Sequence, residues 1–101
     1  ARVIITATES GKTACLISKY QPAQPVLALT PSLKTVRFLN LKWGVYPCLV
    51  ERFKSVDEIL NEGPQLARRL GFIQPGQNYL ITCGTHTGIA GSTNLLKVDR
   101  Y

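Results

Sequence analysis

Gly11-Lys12-Thr13, with Ser10 just before it, is the cluster best suited to chemistry in this 101-residue chain. Two hydroxyls, an ammonium and a glycine that leaves backbone N–H groups accessible are the donors that hold a phosphate. The cluster follows a β-branched apolar run at residues 3–7. Thr13, Leu16, Ile17 and Tyr20 then recur at helical spacing. A strand-to-helix turn aims N–H groups and the positive helix end at one spot. The same residues also make an ordinary turn in which a Ser or Thr caps the helix. From the loop alone both readings stand.

A nucleotide-hydrolysing loop carries another glycine five residues before the Gly of Gly-Lys-Thr. That position is Thr6, and no later strand ends in a carboxylate suited to hold magnesium, since residues 26–29 run into Thr30-Pro31 and residues 79–83 into Gly84. Both facts speak against nucleotide hydrolysis.

A second donor-rich stretch, CGTHTGIAGSTN at residues 83–94, includes Gly84, Thr85, His86, Thr87, Gly88, Gly91 and Ser92. If strand 4 lies beside strand 1, this loop leaves the same carboxyl edge as the first, where ligands of such sheets collect. A long surface hairpin is the alternative. His86 is the sole histidine, with no acidic neighbour in sequence and no nucleophile tied to it, so no catalytic residue is assigned. It reads as a surface residue or a phosphate donor. Cys15, Cys48 and Cys83 lie 33 and 35 residues apart. Metal ligands pair more closely, so no metal site is assigned and the three read as buried thiols of a reducing cytoplasm. Trp43 and Tyr46 read as core or interface packing rather than a base-stacking platform.

The elements that must position these residues alternate strand and helix patterns. Strands are predicted at residues 3–7, 26–29, 45–50, 79–83 and 93–98. Helices are predicted after Gly11, from Ser32 through about Leu41, and from Ser55, whose spacing to Glu58 makes a capping box. Pro47 suits a strand near a sheet edge. Val56, Ile59, Leu60, Leu66, Ala67 and Leu70 give the third helix an apolar face, and Gly63-Pro64 inside it predicts a kink or restart. Gly44 and Gly71 are helix stops, and Pro75-Gly76 suits a type II turn. No helix separates the last two strands, so the fifth should run antiparallel to the fourth. The expected fold is a three-layer α/β/α domain with a mostly parallel sheet.

Apolar residues make up 45% of the chain, enough for a packed core, and no apolar run reaches the length of a membrane span. The formal charge is +6, and no acidic residue falls between Glu9 and Glu51, where Lys12, Lys19, Lys34, Arg37 and Lys42 do. Such a field favours phosphorylated metabolites, nucleic acid or an acidic protein surface, or is simply a solvated basic face. Nucleic acid is the weaker option, because the cations are dispersed and no aromatic recognition motif accompanies them.

TESGKTACLISKYQPAQPVLALTPS, LKWGVYPCLV, the glycines of residues 71–76 and the closing GIAGSTNLLKV together resemble the C-terminal domain of pyruvate kinase, in the family's order over residues 3–98. The resemblance implies a five-stranded sheet of order 3-2-1-4-5 with strand 5 antiparallel. It implies a regulatory domain of a cytoplasmic, homotetrameric glycolytic enzyme that makes pyruvate and ATP from phosphoenolpyruvate and ADP, using Mg2+ and K+ in a separate barrel. This chain would itself hold no catalytic residue and no cofactor. The family's helix before strand 1 has no counterpart, and the chain starts abruptly on strand residues. Residues 1–101 are therefore expected to be one domain, cut from a longer protein without that helix or the barrel.

By the same resemblance Thr8, Ser10, Gly11, Lys12 and Thr13 bind the phosphate of an effector. Gly84, Thr85, His86, Thr87, Gly88, Gly91 and Ser92 form the effector loop, and Thr93, Asn94, Leu95 and Leu96 face a neighbouring subunit. Glu9 would repel a second phosphate, and His86 stands where sugar-bisphosphate-activated members place arginine. A sugar monophosphate or AMP is therefore expected over a bisphosphate. The alternative is an assembly module with a vestigial effector site. The other domains and subunits of the parent enzyme are the remaining expected partners, with no nucleic acid and no membrane.

Overall fold

A computed structural model describes residues 1–20, 22–83 and 95–101. Eight elements follow one another: β1 (Ile4–Ala7), α1 (Lys12–Lys19), β2 (Val26–Thr30), α2 (Leu33–Leu39), β3 (Val45–Leu49), α3 (Val56–Arg69), β4 (Asn78–Cys83) and β5 (Leu95–Arg100). They build one five-stranded sheet of order β3-β2-β1-β4-β5. β1 pairs in parallel with β2 and β4, β2 in parallel with β3, and β5 runs antiparallel to β4. The sheet order and the reversed last strand agree with the sequence reading. β5 extends to Arg100, two residues beyond the predicted end.

The core divides by sheet face. On one face α3 covers Ile5, Leu27, Leu29 and Ile81, with Ile59 and Ala67 of the helix among them. On the other face Ala14 of α1 and Leu39 of α2 pack with Ile4, Val26, Ala28 and Val45. The interior strand β2 is buried at all five positions, as a strand covered on both faces must be. β3 takes the edge, where Pro47 is tolerated opposite Ala28.

The helix signals worked as capping chemistry. Ser32 Oγ accepts from Thr35 N at 3.2 Å, and Ser55 Oγ accepts from Glu58 N at 3.1 Å. The turn at Pro75-Gly76 closes with Gln77 N donating to Gln74 O at 3.1 Å, and Gly76 takes φ 86° as a type II turn requires.

Three expectations need correcting. α3 is one helix from Val56 to Arg69, with no break at Gly63-Pro64. Gly63 lies against the sheet, where a Cβ would stand 3.1 Å from Ile81 Cδ1 and 3.4 Å from Ile5 Cγ2. The glycine answers to a close approach, and the buried Pro64 rides along in the packed helix. In α1 the inward stripe is Ala14 and Ser18, while Leu16 and Tyr20 are exposed. Small residues there let the helix sit close, and Ser18 Oγ donates to Trp43 O at 2.7 Å. Of the expected core or interface packing of Trp43 and Tyr46, the core half is corrected, since both are exposed; Tyr46 meets Phe72, with ring centroids 5.3 Å apart.

Candidate functional site: the β1–α1 turn

β1, β2, β3 and β4 are mutually parallel, so Ala7, Thr30, Leu49 and Cys83 end at one edge of the sheet. The chain turns there from β1 into α1. Thr8 N continues the ladder by donating to Leu29 O at 2.9 Å. Gly11 is the N-cap of α1 in a left-handed conformation, φ 84°. A Cβ on it would lie 3.1 Å from Thr35 Cγ2 and 3.2 Å from Leu39 Cδ2, so glycine is required twice over, by torsion and by space.

The hydroxyls shape the turn. Gly11 N donates to Thr8 Oγ1 at 2.9 Å, and Lys12 N donates more weakly to Ser10 Oγ at 3.3 Å. Each hydroxyl oxygen that accepts an amide proton keeps its own O–H for donation. Cys15 N, donating to Gly11 O at 2.9 Å, makes the first regular bond of the helix. Thr13 and Ala14 thus fall in the first turn, where the helix dipole is positive. Ser10 and Lys12 are exposed, Thr8 and Thr13 half-buried, and Gly11 buried.

The base of the turn is anchored from β2 and α2. Thr35 Oγ1 donates to Glu9 O at 2.7 Å, and Thr30 Oγ1 reaches the same carbonyl at 3.4 Å. Thr30 Oγ1 in turn accepts from Ser32 N at 3.2 Å. The Glu9 side chain forms an ion pair with Arg52, which follows β3. Sequence reading singled out neither Thr30, Thr35 nor Arg52. Thr30 and Thr35 are recognisable beforehand only as turn and capping residues, and nothing local to Arg52 marks it as a neighbour of Glu9.

Of the predicted site residues, Thr8, Ser10, Gly11, Lys12 and Thr13 come together in this single turn. Gly84, Thr85, His86, Thr87, Gly88, Gly91, Ser92, Thr93 and Asn94 lie outside the described residues. Leu95 and Leu96 open β5, paired opposite Cys83 and Thr82. A cavity of about 290 Å3 lies elsewhere, between the end of β3 and α3, lined in part by Cys48, Val50, Phe53, Glu58, Glu62 and Arg69. It does not coincide with the turn. All three cysteines are free, Cys83 buried and Cys15 and Cys48 half-buried. Burial pushes the Cys83 thiol up, and it also raises Cys48, with Arg69 opposing.

A family model described as pyruvate kinase, alpha/beta domain, matches residues 1–99. The chain belongs to the pyruvate kinase family. Over 99 residues it is 43% identical to the pyruvate kinase of Clostridium acetobutylicum, covering 98% of this chain and 21% of that protein. It is 42% identical over 97 residues to the pyruvate kinase of Staphylococcus haemolyticus, covering 96% of this chain and 17% of that protein. A solved structure of Cryptosporidium parvum pyruvate kinase in complex with ADP superposes with a TM-score of 0.85 at 33% identity, over 99% of this chain and 20% of that one. The chain thus spans about a fifth of the length of the relatives it matches. The fold is that of the pyruvate kinase C-terminal domain.

Proposed function

We propose that this domain is the effector-binding unit of a cytoplasmic, homotetrameric pyruvate kinase, and that the phosphate of a metabolite docks on the β1–α1 turn. The single observation that supports it is the turn itself. Gly11 holds a left-handed N-cap, Thr8 Oγ1 and Ser10 Oγ accept from the Gly11 and Lys12 amides, and the exposed Lys12 ammonium and Ser10 hydroxyl stand beside them at the start of α1. Such a turn offers an ammonium, hydroxyls and the positive end of a helix to an anion. Transfer of phosphoryl from phosphoenolpyruvate to ADP, with Mg2+ and K+, belongs on this reading to a barrel in the rest of the parent protein.

Regulation would follow from differential affinity. An effector that binds one quaternary state better than another shifts the equilibrium by that difference and no more. Calorimetric titration with glucose 6-phosphate, AMP and fructose 1,6-bisphosphate, alongside amide exchange, tests the reading. Binding with protection of the amides at residues 8–13 is expected. No heat with any of the three would leave an assembly module.

That second reading draws on β5. It is an edge strand, and its Val98 is 65% exposed, an apolar side chain on an open ladder. Pairing of this edge across a two-fold axis would join two subunits. Sedimentation of Val98→Lys checks it, with a fall in mass expected if the edge associates and no change if it does not.

A further inference from the structure

Resting on the phosphate reading of the β1–α1 turn, we propose that Arg52 is a specificity-determining residue of that site, and that its ion pair with Glu9 sets how many phosphate groups the site accepts. Glu9 stands between Thr8 and Ser10, inside the run that would hold an anion. A bare carboxylate there opposes any phosphate. The fold supplies its counter-charge from a distant part of the chain, since Arg52 leaves the end of β3 and pairs with the Glu9 side chain. The Glu9 carbonyl is meanwhile held by Thr35 Oγ1 at 2.7 Å, which fixes the backbone from which the carboxylate reaches Arg52.

The charge count then decides specificity. With Glu9 and Arg52 cancelling, Lys12 leaves the turn with one net positive charge, suited to a single phosphate. Removing Arg52 takes this to zero. Removing Glu9 takes it to two and releases a guanidinium whose planar donors suit a second phosphate. The pair therefore revises the simple expectation that Glu9 repels: the repulsion is masked until Arg52 is removed. The partners are 64% and 40% exposed, so the pair contributes little to stability and its variants should fold.

The test measures calorimetric affinities for glucose 6-phosphate and fructose 1,6-bisphosphate with the wild type, Arg52→Gln, Arg52→Lys, Glu9→Gln and the Glu9→Gln/Arg52→Gln double variant. Arg52→Gln should weaken glucose 6-phosphate by about threefold to tenfold and the bisphosphate further, more so at low salt. Arg52→Lys should recover most of this loss. Glu9→Gln should shift preference toward the bisphosphate by about threefold to tenfold, and the double variant should return near the wild-type affinity for glucose 6-phosphate. A wild type that binds, with the ratio of the two affinities constant across all variants, overturns this inference and leaves the site reading standing. A wild type that binds neither probe overturns this inference, and one that also fails to bind AMP overturns the site reading with it.

Discussion

Gly63 of α3 faces Ile81 of β4 so closely that a Cβ on the glycine would stand 3.1 Å from Ile81 Cδ1. Ile81 is fully buried, and Ile5 Cγ2 waits at 3.4 Å from the same point, so neither neighbour has open space to move into. Gly63→Ala gains about 1 kcal/mol of helix propensity and loses a similar amount to crowding, so its net change should be small. Gly63→Val adds two methyl groups to the same contact and should cost about 2–3 kcal/mol. Urea unfolding midpoints of the two variants check this, and equal stability for both would show that α3 lifts freely from the sheet.

Thr82 and Thr6 are register partners of β4 and β1, with the Thr82 hydroxyl donating to Thr6 Oγ1 at 3.0 Å in the buried centre of the sheet. Thr82→Val removes the donor and should cost about 1 kcal/mol. Adding Thr6→Val removes the acceptor as well, so the double variant should lose less than the two singles summed. Chemical denaturation of the four proteins gives the cycle. Strict additivity would mean that the two hydroxyls do not support one another.

Gly11 carries two separable roles. A side chain at φ 84° is strained and would press on Thr35 and Leu39, so Gly11→Ala should destabilise by about 1–3 kcal/mol and abolish phosphate binding together. Lys12→Gln changes only an exposed ammonium and should leave the melting temperature within a degree or two while weakening glucose 6-phosphate about tenfold. Melting curves and titrations on both variants separate fold from site. Loss of stability in Lys12→Gln, or undiminished binding, would remove the lysine from the site.

Much of the fold was legible because it is written locally. Ser32 and Ser55 cap as their spacing to Thr35 and Glu58 implies, and Gly71 and Gly76 take the left-handed torsions their positions call for. The sequence after residue 83 carries no helical pattern before the last strand, which was enough to predict the antiparallel pairing that β5 makes with β4. Reading failed where the third dimension decides. Gly63-Pro64 is the punctuation of a break in any local grammar, yet here the glycine serves a contact with Ile81, 18 positions away. Leu16 and Tyr20 outweigh Ala14 and Ser18 in hydrophobicity, but the close approach of α1 to the sheet selects the small pair. At the site, Thr8 to Thr13 could be found because they are contiguous. Arg52 could not, since only the parallel order β3-β2-β1 brings the end of β3 toward the turn after β1.

Alkaline pH offers a further handle on the core. The Cys83 thiol, 1% exposed, is raised above its ordinary value of 9.0 by burial, and Cys48 is raised by burial with Arg69 opposing. A folded-state pKa above the unfolded one means that the native protein holds its proton longer, so the contribution is complete below about pH 9 and is lost as pH climbs through the folded value. Tyr79 adds in the same direction, its phenol raised chiefly by burial and then by Asp99. The urea midpoint should therefore fall steadily above pH 9. In Cys83→Ala the protein should be somewhat less stable at pH 7, through the lost packing, but its decline with alkali should be shallower. Alkylation by iodoacetamide at pH 8 should label Cys83 last, on unfolding. Rapid labelling of Cys83 in the native protein, or an unchanged alkaline slope in Cys83→Ala, would show that this thiol is not sealed beneath α3.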